Sequence, residues 1–222
     1  MSNICFIGGG NMATSLIGGL IAQGHTANSI SVSDPNESQR DQLTQQYGIN
    51  TFAECGPAVQ NADIVVLAVK PQVMKEVAQI VAEAASQSSK QPLFVSIAAG
   101  INLFSLQSWL GQEQAIVRCM PNTPALVQTG ATAYFANSLV NPEQRSQTEQ
   151  LLKAIGIAEE VDSEHLLDAV TAISGSGPAY FFLLLEPNTN RSDIAHKSLL
   201  AIMNPPKNAS GGLDISLTID ES

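Results

Sequence analysis

The segment Ile4-Cys5-Phe6-Ile7-Gly8-Gly9-Gly10-Asn11-Met12-Ala13 constrains the fold more than any other part of the chain. Four apolar residues run into consecutive glycines, and Met12, Leu16, Leu20 and Ile21 then recur at helical spacing. A short apolar strand, a tight turn and a helix over residues 11 to 24 open a parallel βαβ unit. Gly8-Gly9-Gly10-Asn11-Met12-Ala13 also fits the G-x-G-x-x-A pattern. In that pattern Gly8 permits the tight turn, Gly10 lets the backbone approach a pyrophosphate, and Ala13 lets the helix pack closely on the strand. The N–H groups and dipole of the helix start then hold the anion. An ordinary glycine-rich turn is the alternative. The strand before it and the helix behind it favour a dinucleotide site.

The same alternation continues to residue 120. Ile30–Ser33 reads as a second strand and residues 37 to 47 as a polar helix. Residues 64 to 69 form a continuous β-branched run bounded by Asp63 and Lys70-Pro71. A helix with Val73, Val77, Ile80, Val81 and Ala84 on one stripe follows, then strands over 93 to 97 and 115 to 119. Beyond Pro121, residues 131 to 135 and 157 to 161 are strand candidates and 142 to 155 a helix. Another helix starts near Ser163, capped by Asp162 or Ser163. Ser174-Gly175-Ser176-Gly177-Pro178 interrupts it, and Pro178 opens a further helix to residue 186. Continuous apolar strands between amphipathic helices give the fold class: α/β, a Rossmann-like doubly wound and mostly parallel sheet covered on both faces.

Asp34 ends the second strand 24 residues after Gly10, where a ribose-binding carboxylate belongs. A turn or capping role before Pro35 is the alternative. Arg40 lies six residues on, so NADP remains open, and Ser33 and Asn36 are possible donors to a phosphate. Lys70 lies either beside the ligand at a strand's carboxyl end or on the surface as a solvated lysine. The 20 acidic against 10 basic residues leave a net charge of −10, which argues against a nucleic-acid or anionic-membrane partner. It does not argue against a small anion held by backbone amides. Cys5, Cys55 and Cys119 form no Cys-x-x-Cys pair, so neither a disulfide framework nor a zinc site is expected. His25, His165 and His196 show no ligand spacing, and no metal is expected. Cys5, Cys119 and Trp109 read as packing residues. No basic segment precedes the first apolar run and no apolar stretch has bilayer length, so the expectation is a soluble, cytoplasmic protein.

Three further stretches sharpen the reading: Ser96-Ile97-Ala98-Ala99-Gly100, Met120-Pro121-Asn122-Thr123-Pro124-Ala125 and Ser174-Gly175-Ser176-Gly177-Pro178-Ala179-Tyr180. Taken in order with the glycine turn and Ala68-Val69-Lys70-Pro71, they closely resemble pyrroline-5-carboxylate reductase over residues 3 to 186. The resemblance implies reduction of the C=N bond of 1-pyrroline-5-carboxylate to L-proline with NADPH or NADH. It implies a Rossmann-like N-terminal domain and an all-helical C-terminal domain that builds a homo-oligomer from intertwined dimers. Carried over, Ile7, Gly8, Gly9, Gly10, Asn11 and Met12 touch the pyrophosphate. Ala68, Val69, Lys70 and Pro71 line the adenosine and nicotinamide side, and Asn122 and Thr123 sit near the nicotinamide. Gly175, Ser176 and Gly177, with Pro178, lie beside the substrate. No residue is singled out as catalytic.

The chain also departs from the pattern. Relatives continue the Pro178 helix into several more and then carry a Ser-Pro-Gly-Gly-Thr-Thr-like segment that grips the substrate carboxylate. This chain lacks it, and Asn208-Ala209-Ser210-Gly211-Gly212-Leu213 is an accidental echo. The expected division is a nucleotide-binding domain over 1 to 162, the start of a helical dimerisation and substrate domain over 163 to 186, and a divergent tail over 187 to 222. The helical domain is expected to be incomplete, with dimerisation helices missing and the tail read from a shifted frame or an aberrant gene end. Two other functions compete. One is a catalytically silent dinucleotide-binding remnant, which the missing segment favours. The other is an NAD(P)-dependent oxidoreductase of the 6-phosphogluconate dehydrogenase type, which the last two motifs disfavour.

Overall fold

In the first strand, Ile4 and Phe6 face one core and Cys5 and Ile7 the other, the period-two alternation of a strand covered on both sides. The computed structural model describes residues 2 to 177. Within them the strands are β1 (Ile4–Ile7), β2 (Ile30–Ser33), β3 (Asn50–Phe52), β4 (Ile64–Leu67), β5 (Leu93–Ser96), β6 (Ile116–Met120), β7 (Gly130–Ala136) and β8 (Gly156–Glu160). The α-helices are α1 (Asn11–Ala22), α2 (Glu37–Tyr47), α3 (Cys55–Val59), α4 (Met74–Ser86), α5 (Leu103–Leu110), α6 (Pro142–Lys153) and α7 (Leu166–Val170).

One sheet holds these strands in the order β3-β2-β1-β4-β5-β6-β7-β8. All neighbours run parallel except β6 and β7. The expected doubly wound sheet is therefore present. The chain crosses from β3 at one edge to β4 beside β1, so strand order reverses between β1 and β4. In open parallel sheets such a reversal leaves a crevice at the carboxyl ends of the strands, and the glycine turn opens into it. One core lies under α1, α2 and α6, and the other under α3, α4 and α5. Cys5 and Cys119 are buried, as expected, and burial pushes the Cys5 thiol up to about 12. Trp109 packs against the second core. Asn141 and Gln144 form a reciprocal capping box, with Pro142 in the first helical position of α6.

Four local expectations change. The stripe through Val73 and Ile80 is out of phase: these are 46% and 48% exposed, while Met74, Ala78, Val81 and Ala85 are buried. The cause is a 3-10 turn at Pro71–Val73, which delays α4 to Met74 and rotates its buried face by one residue. The strand expected to reach residue 69 ends at Leu67. Neither Asp162 nor Ser163 caps α7, which begins at Leu166. β3 and α3 were not anticipated. The expectations for Pro178 and the helix after it, and for the tail over 187 to 222, lie outside the described residues. Among the described residues no helix is long and apolar enough to cross a membrane.

Candidate functional site

The turn after β1 is held from both neighbouring strands. Gly8 donates its N–H to the Ser33 carbonyl at the end of β2 (2.8 Å), and Ala68 donates past the end of β4 to the Ile7 carbonyl (2.8 Å). Gly8 has φ +98°, and a Cβ there would stand 2.7 Å from the Ala68 carbonyl oxygen, so both conformation and space demand glycine. The Gly9 N–H donates to Asp34 Oδ2 (2.8 Å), while its carbonyl accepts from Gln39 Nε2 (2.6 Å) and Thr14 Oγ1 (3.2 Å).

Gly10 differs from both. It is the N-cap of α1, it is exposed, and a Cβ at its α-carbon would meet nothing within 4 Å. No side chain caps the helix there, and its first turn carries no acid. Uncapped amides, the positive end of a 12-residue helix and open space beside a glycine suit a pyrophosphate. The residues present therefore fit the diphosphate of a dinucleotide. Ala13 is buried in the α1 side of the sheet, the close packing expected of it; Asn11 is exposed, and Met12 is half-buried against the same core.

Asp34 is placed differently from a free ribose acceptor. Both carboxylate oxygens already accept main-chain hydrogen bonds, Oδ2 from Gly9 and Oδ1 from Asn36 (2.9 Å). Its own carbonyl accepts from Arg40 Nη1 (2.8 Å). Ser33 is buried and points its hydroxyl at Cys55 Sγ (3.6 Å), so it is not the phosphate donor the sequence suggested.

Ala68 and Val69 are half-buried at the mouth of β4, and Val69 Cγ1 would lie 3.1 Å from a Cβ at Gly8. Lys70 and Pro71 are exposed. Asn122, after β6, uses both ends of its carboxamide: Oδ1 accepts from the Ala131 N–H (2.9 Å) and Nδ2 donates to Ser174 Oγ (3.0 Å). Thr123 beside it is exposed. Thr171–Gly175 forms a turn of π-helix, and the Ser176 N–H reaches back to the Thr171 carbonyl (3.1 Å). A Cβ at Gly175 would press on Met120 Cε at 2.8 Å. Ser176 and Gly177 are half-buried at the end of this turn. The structure thus joins the sequence candidates into two groups. One is the glycine turn with Asp34 and Ala68 to Pro71. The other is Asn122 and Thr123 with Gly175 to Gly177. The loop after β6, which carries Asn122, packs against α1, which follows the glycine turn.

Two participants escaped sequence reading. Gln39 anchors the Gly9 carbonyl from α2. Arg118 is only 5% exposed, and it donates to Glu164 Oε1 (3.0 Å) and Asp168 Oδ1 (3.1 Å) in the segment leading to Gly175. An arginine inside the apolar run Ile116–Met120 was the available signal, because a buried guanidinium needs anionic partners. Among the described residues no cluster of His, Cys, Asp or Glu is placed to hold a metal ion.

Residues 3–100 match a family described as NADP oxidoreductase, coenzyme F420-dependent, and residues 164–191 match the pyrroline-5-carboxylate reductase dimerisation family. The second match runs past residue 186, where the resemblance read from motifs stops. The chain is 52% identical over 190 residues to the pyrroline-5-carboxylate reductase of Pseudomonas aeruginosa, covering 86% of this chain and 68% of that protein. Among solved structures, a pyrroline-5-carboxylate reductase from Coxiella burnetii matches with a TM-score of 0.79 and 36% identity, over 91% of this chain and 77% of that one. The pyrroline carboxylate reductase of Plasmodium falciparum, solved with NADP bound, matches with a TM-score of 0.72 and 27% identity, over 90% and 76%.

Proposed function

Since the chain belongs to the pyrroline-5-carboxylate reductase family, we propose that it reduces the C=N bond of 1-pyrroline-5-carboxylate to give L-proline, using NADPH or NADH. The observation that carries this reading is the uncapped start of α1 beside Gly10, a cradle with space and donors for a diphosphate, in a chain with this family membership. Ile7, Gly8, Gly9, Gly10, Asn11 and Met12 are assigned to the pyrophosphate, with Ala13 packing their helix closely on the sheet. Asp34 holds their turn, and Ala68, Val69, Lys70 and Pro71 form the opposite wall. Asn122 and Thr123 are assigned to the nicotinamide side.

When bound, the reduced cofactor supplies the hydride. The residues of the chain have three tasks around it: fixing the cofactor, placing the substrate and keeping water from the reacting carbon. The helix dipole and backbone amides serve the first. Gly175, Ser176 and Gly177 are assigned to the second, tied to the nicotinamide side through the Asn122–Ser174 hydrogen bond. An iminium accepts hydride more readily than a neutral imine, so the substrate nitrogen must carry a proton when the hydride arrives.

The division into a nucleotide-binding unit over 1 to 162 and a helical unit from 163 is supported by family matches falling on either side of that boundary. The dimerisation match supports a homo-oligomer, and the helical unit is its interface. Deuterium labelling tests the reaction. With cofactor carrying deuterium at both C4 positions, the proline formed should gain one deuterium on the former imine carbon. Unlabelled proline, or no proline, would refute the reading.

A further inference from the structure

Resting on the assignment of Gly175, Ser176 and Gly177 to the substrate, whatever sets their position takes part in the reaction. The segment over 162 to 177 has little strength of its own. α7 is five residues long, too short to hold its shape unaided, and one π turn at Thr171–Gly175 follows it. In that turn the Thr171 carbonyl accepts from both the N–H (3.1 Å) and the hydroxyl (3.3 Å) of Ser176. Ser176 is thereby tied to α7 and goes where that helix points.

β6, by contrast, is fixed between β5 and β7. Ile116, Arg118 and Met120 alternate onto one of its faces, and Ile116 lies in the core under α5. Arg118 donates to Glu164 Oε1 from Nη1 (3.0 Å) and to Asp168 Oδ1 from Nη2 (3.1 Å). Met120 stands against Gly175, where no Cβ would fit. Asn122, two positions further on, donates to Ser174. Alternate residues along β6 and its extension thus grip both ends of the segment. Among the described residues, the bonds from Arg118 and Asn122, with that from the Leu103 N–H to Glu164, are its polar ties to the rest of the chain.

Glu164 and Asp168 are four positions apart, about one helical turn. A planar fork that spans them fixes both the rotation of α7 and its place along the strand. An apolar side chain would fill the same space at no greater cost, but it would carry no direction. We propose that Arg118 is the positioning residue of the substrate side: through Glu164 and Asp168 it holds the Gly175–Gly177 turn against the loop of Asn122 and Thr123, at the separation that hydride transfer needs. It acts through that turn and leaves the diphosphate cradle, which rests on β1 and α1, untouched.

Initial rates with 1-pyrroline-5-carboxylate at saturating NADPH, with NADPH titrations alongside, separate positioning from mere support. Loss of folded chain lowers kcat per chain and leaves the imine KM and the NADPH Kd where they were. Arg118→Lys keeps the charge between the two acids without the fork. It should raise the imine KM and lower kcat/KM for the imine by about 10- to 100-fold, the cost of misplacing a reacting group by about an ångström. The NADPH Kd should hold. Asp168→Ala gives up one prong at a solvated site and should raise the imine KM by a smaller factor. Asp168→Asn keeps an oxygen for Nη2 and should bring it back. An unmoved imine KM in Arg118→Lys, or in Asp168→Ala where the lysine chain does not fold, would overturn the assignment. A parallel loss of NADPH affinity would overturn it too. Failure of the unaltered chain to reduce the imine would instead overturn the substrate reading beneath it.

Discussion

Arg118 on β6 and Glu164 ahead of α7 meet at 3.0 Å, and the same Glu164 oxygen accepts the N–H of Leu103 (2.7 Å). One carboxylate thus joins the sheet, the start of α5 and the segment that carries Gly175. Asp168 shares the guanidinium, but its side chain is 67% exposed. Removing Glu164 leaves a buried charge and a backbone donor poorly matched, whereas removing Asp168 releases a solvated group. Glu164→Ala should therefore lower stability by about 3 kcal/mol. Asp168→Ala should cost less than about 1 kcal/mol. Urea unfolding midpoints of the two variants decide the order, and equal losses would contradict it.

The glycines of the turn should separate folding from binding. Gly8→Ala forces a side chain into a left-handed backbone and against the Ala68 carbonyl, so it should destabilise by about 1–3 kcal/mol. Gly10→Val has an ordinary φ of −66° and an empty space to fill, so it should cost no more than about 1 kcal/mol. That same side chain would occupy the diphosphate position, so NADPH affinity should fall by more than about tenfold. Thermal melts and cofactor titrations on both variants check this. A Gly10→Val chain that binds NADPH normally would remove the phosphate from that spot.

Thr132 is buried in β7 with its hydroxyl unpartnered among the described residues. Thr132→Val keeps the shape and removes the unsatisfied group. Stability should hold or rise by up to about 1 kcal/mol. A clear loss in urea unfolding would mean that the hydroxyl has a partner.

Acid should act through Asp63. Its partial burial raises the carboxyl. Hydrogen bonds from Lys90 (2.6 Å) and the Asn3 amide (2.8 Å), with the Lys90 charge, outweigh this and hold it below the usual carboxylate range. A depressed folded value contributes stability above the unfolded value of about 3.9, and that contribution is lost as pH falls through the folded value. The advantage of the unaltered chain over Asp63→Asn should be present at pH 7 and vanish in strong acid. Both partners are more than one-third exposed, so it should be small and shrink in salt. Unfolding midpoints across pH test this, and a gap that widened in acid would reverse the sign.

Much of this was legible in the residues. β1 and β4 stand out as wholly apolar runs, and β2, β5 and β6 as mostly apolar ones, because parallel strands buried on both faces favour apolar residues. β3, with Asn50 and Thr51 at the sheet edge, lacks that signature. Strand position brought Asp34 to the right end of β2, but spacing carries no information on which way a carboxylate turns. Here the Gly9 amide, unsatisfied by its own turn, captured it. The phase of α4 was missed because a proline-led 3-10 turn advances the chain differently from an α-helix. The role of Glu164 left no local signal, because its partners lie 46 and 61 positions away.

The central claim is that the chain passes hydride from a nicotinamide cofactor to a cyclic imine. Loss of NADPH absorbance, followed with and without 1-pyrroline-5-carboxylate while proline is quantified, tests it most directly. The expected result is substrate-dependent oxidation with one proline formed per NADPH consumed. NADPH that binds yet is not consumed when the imine is added would contradict it.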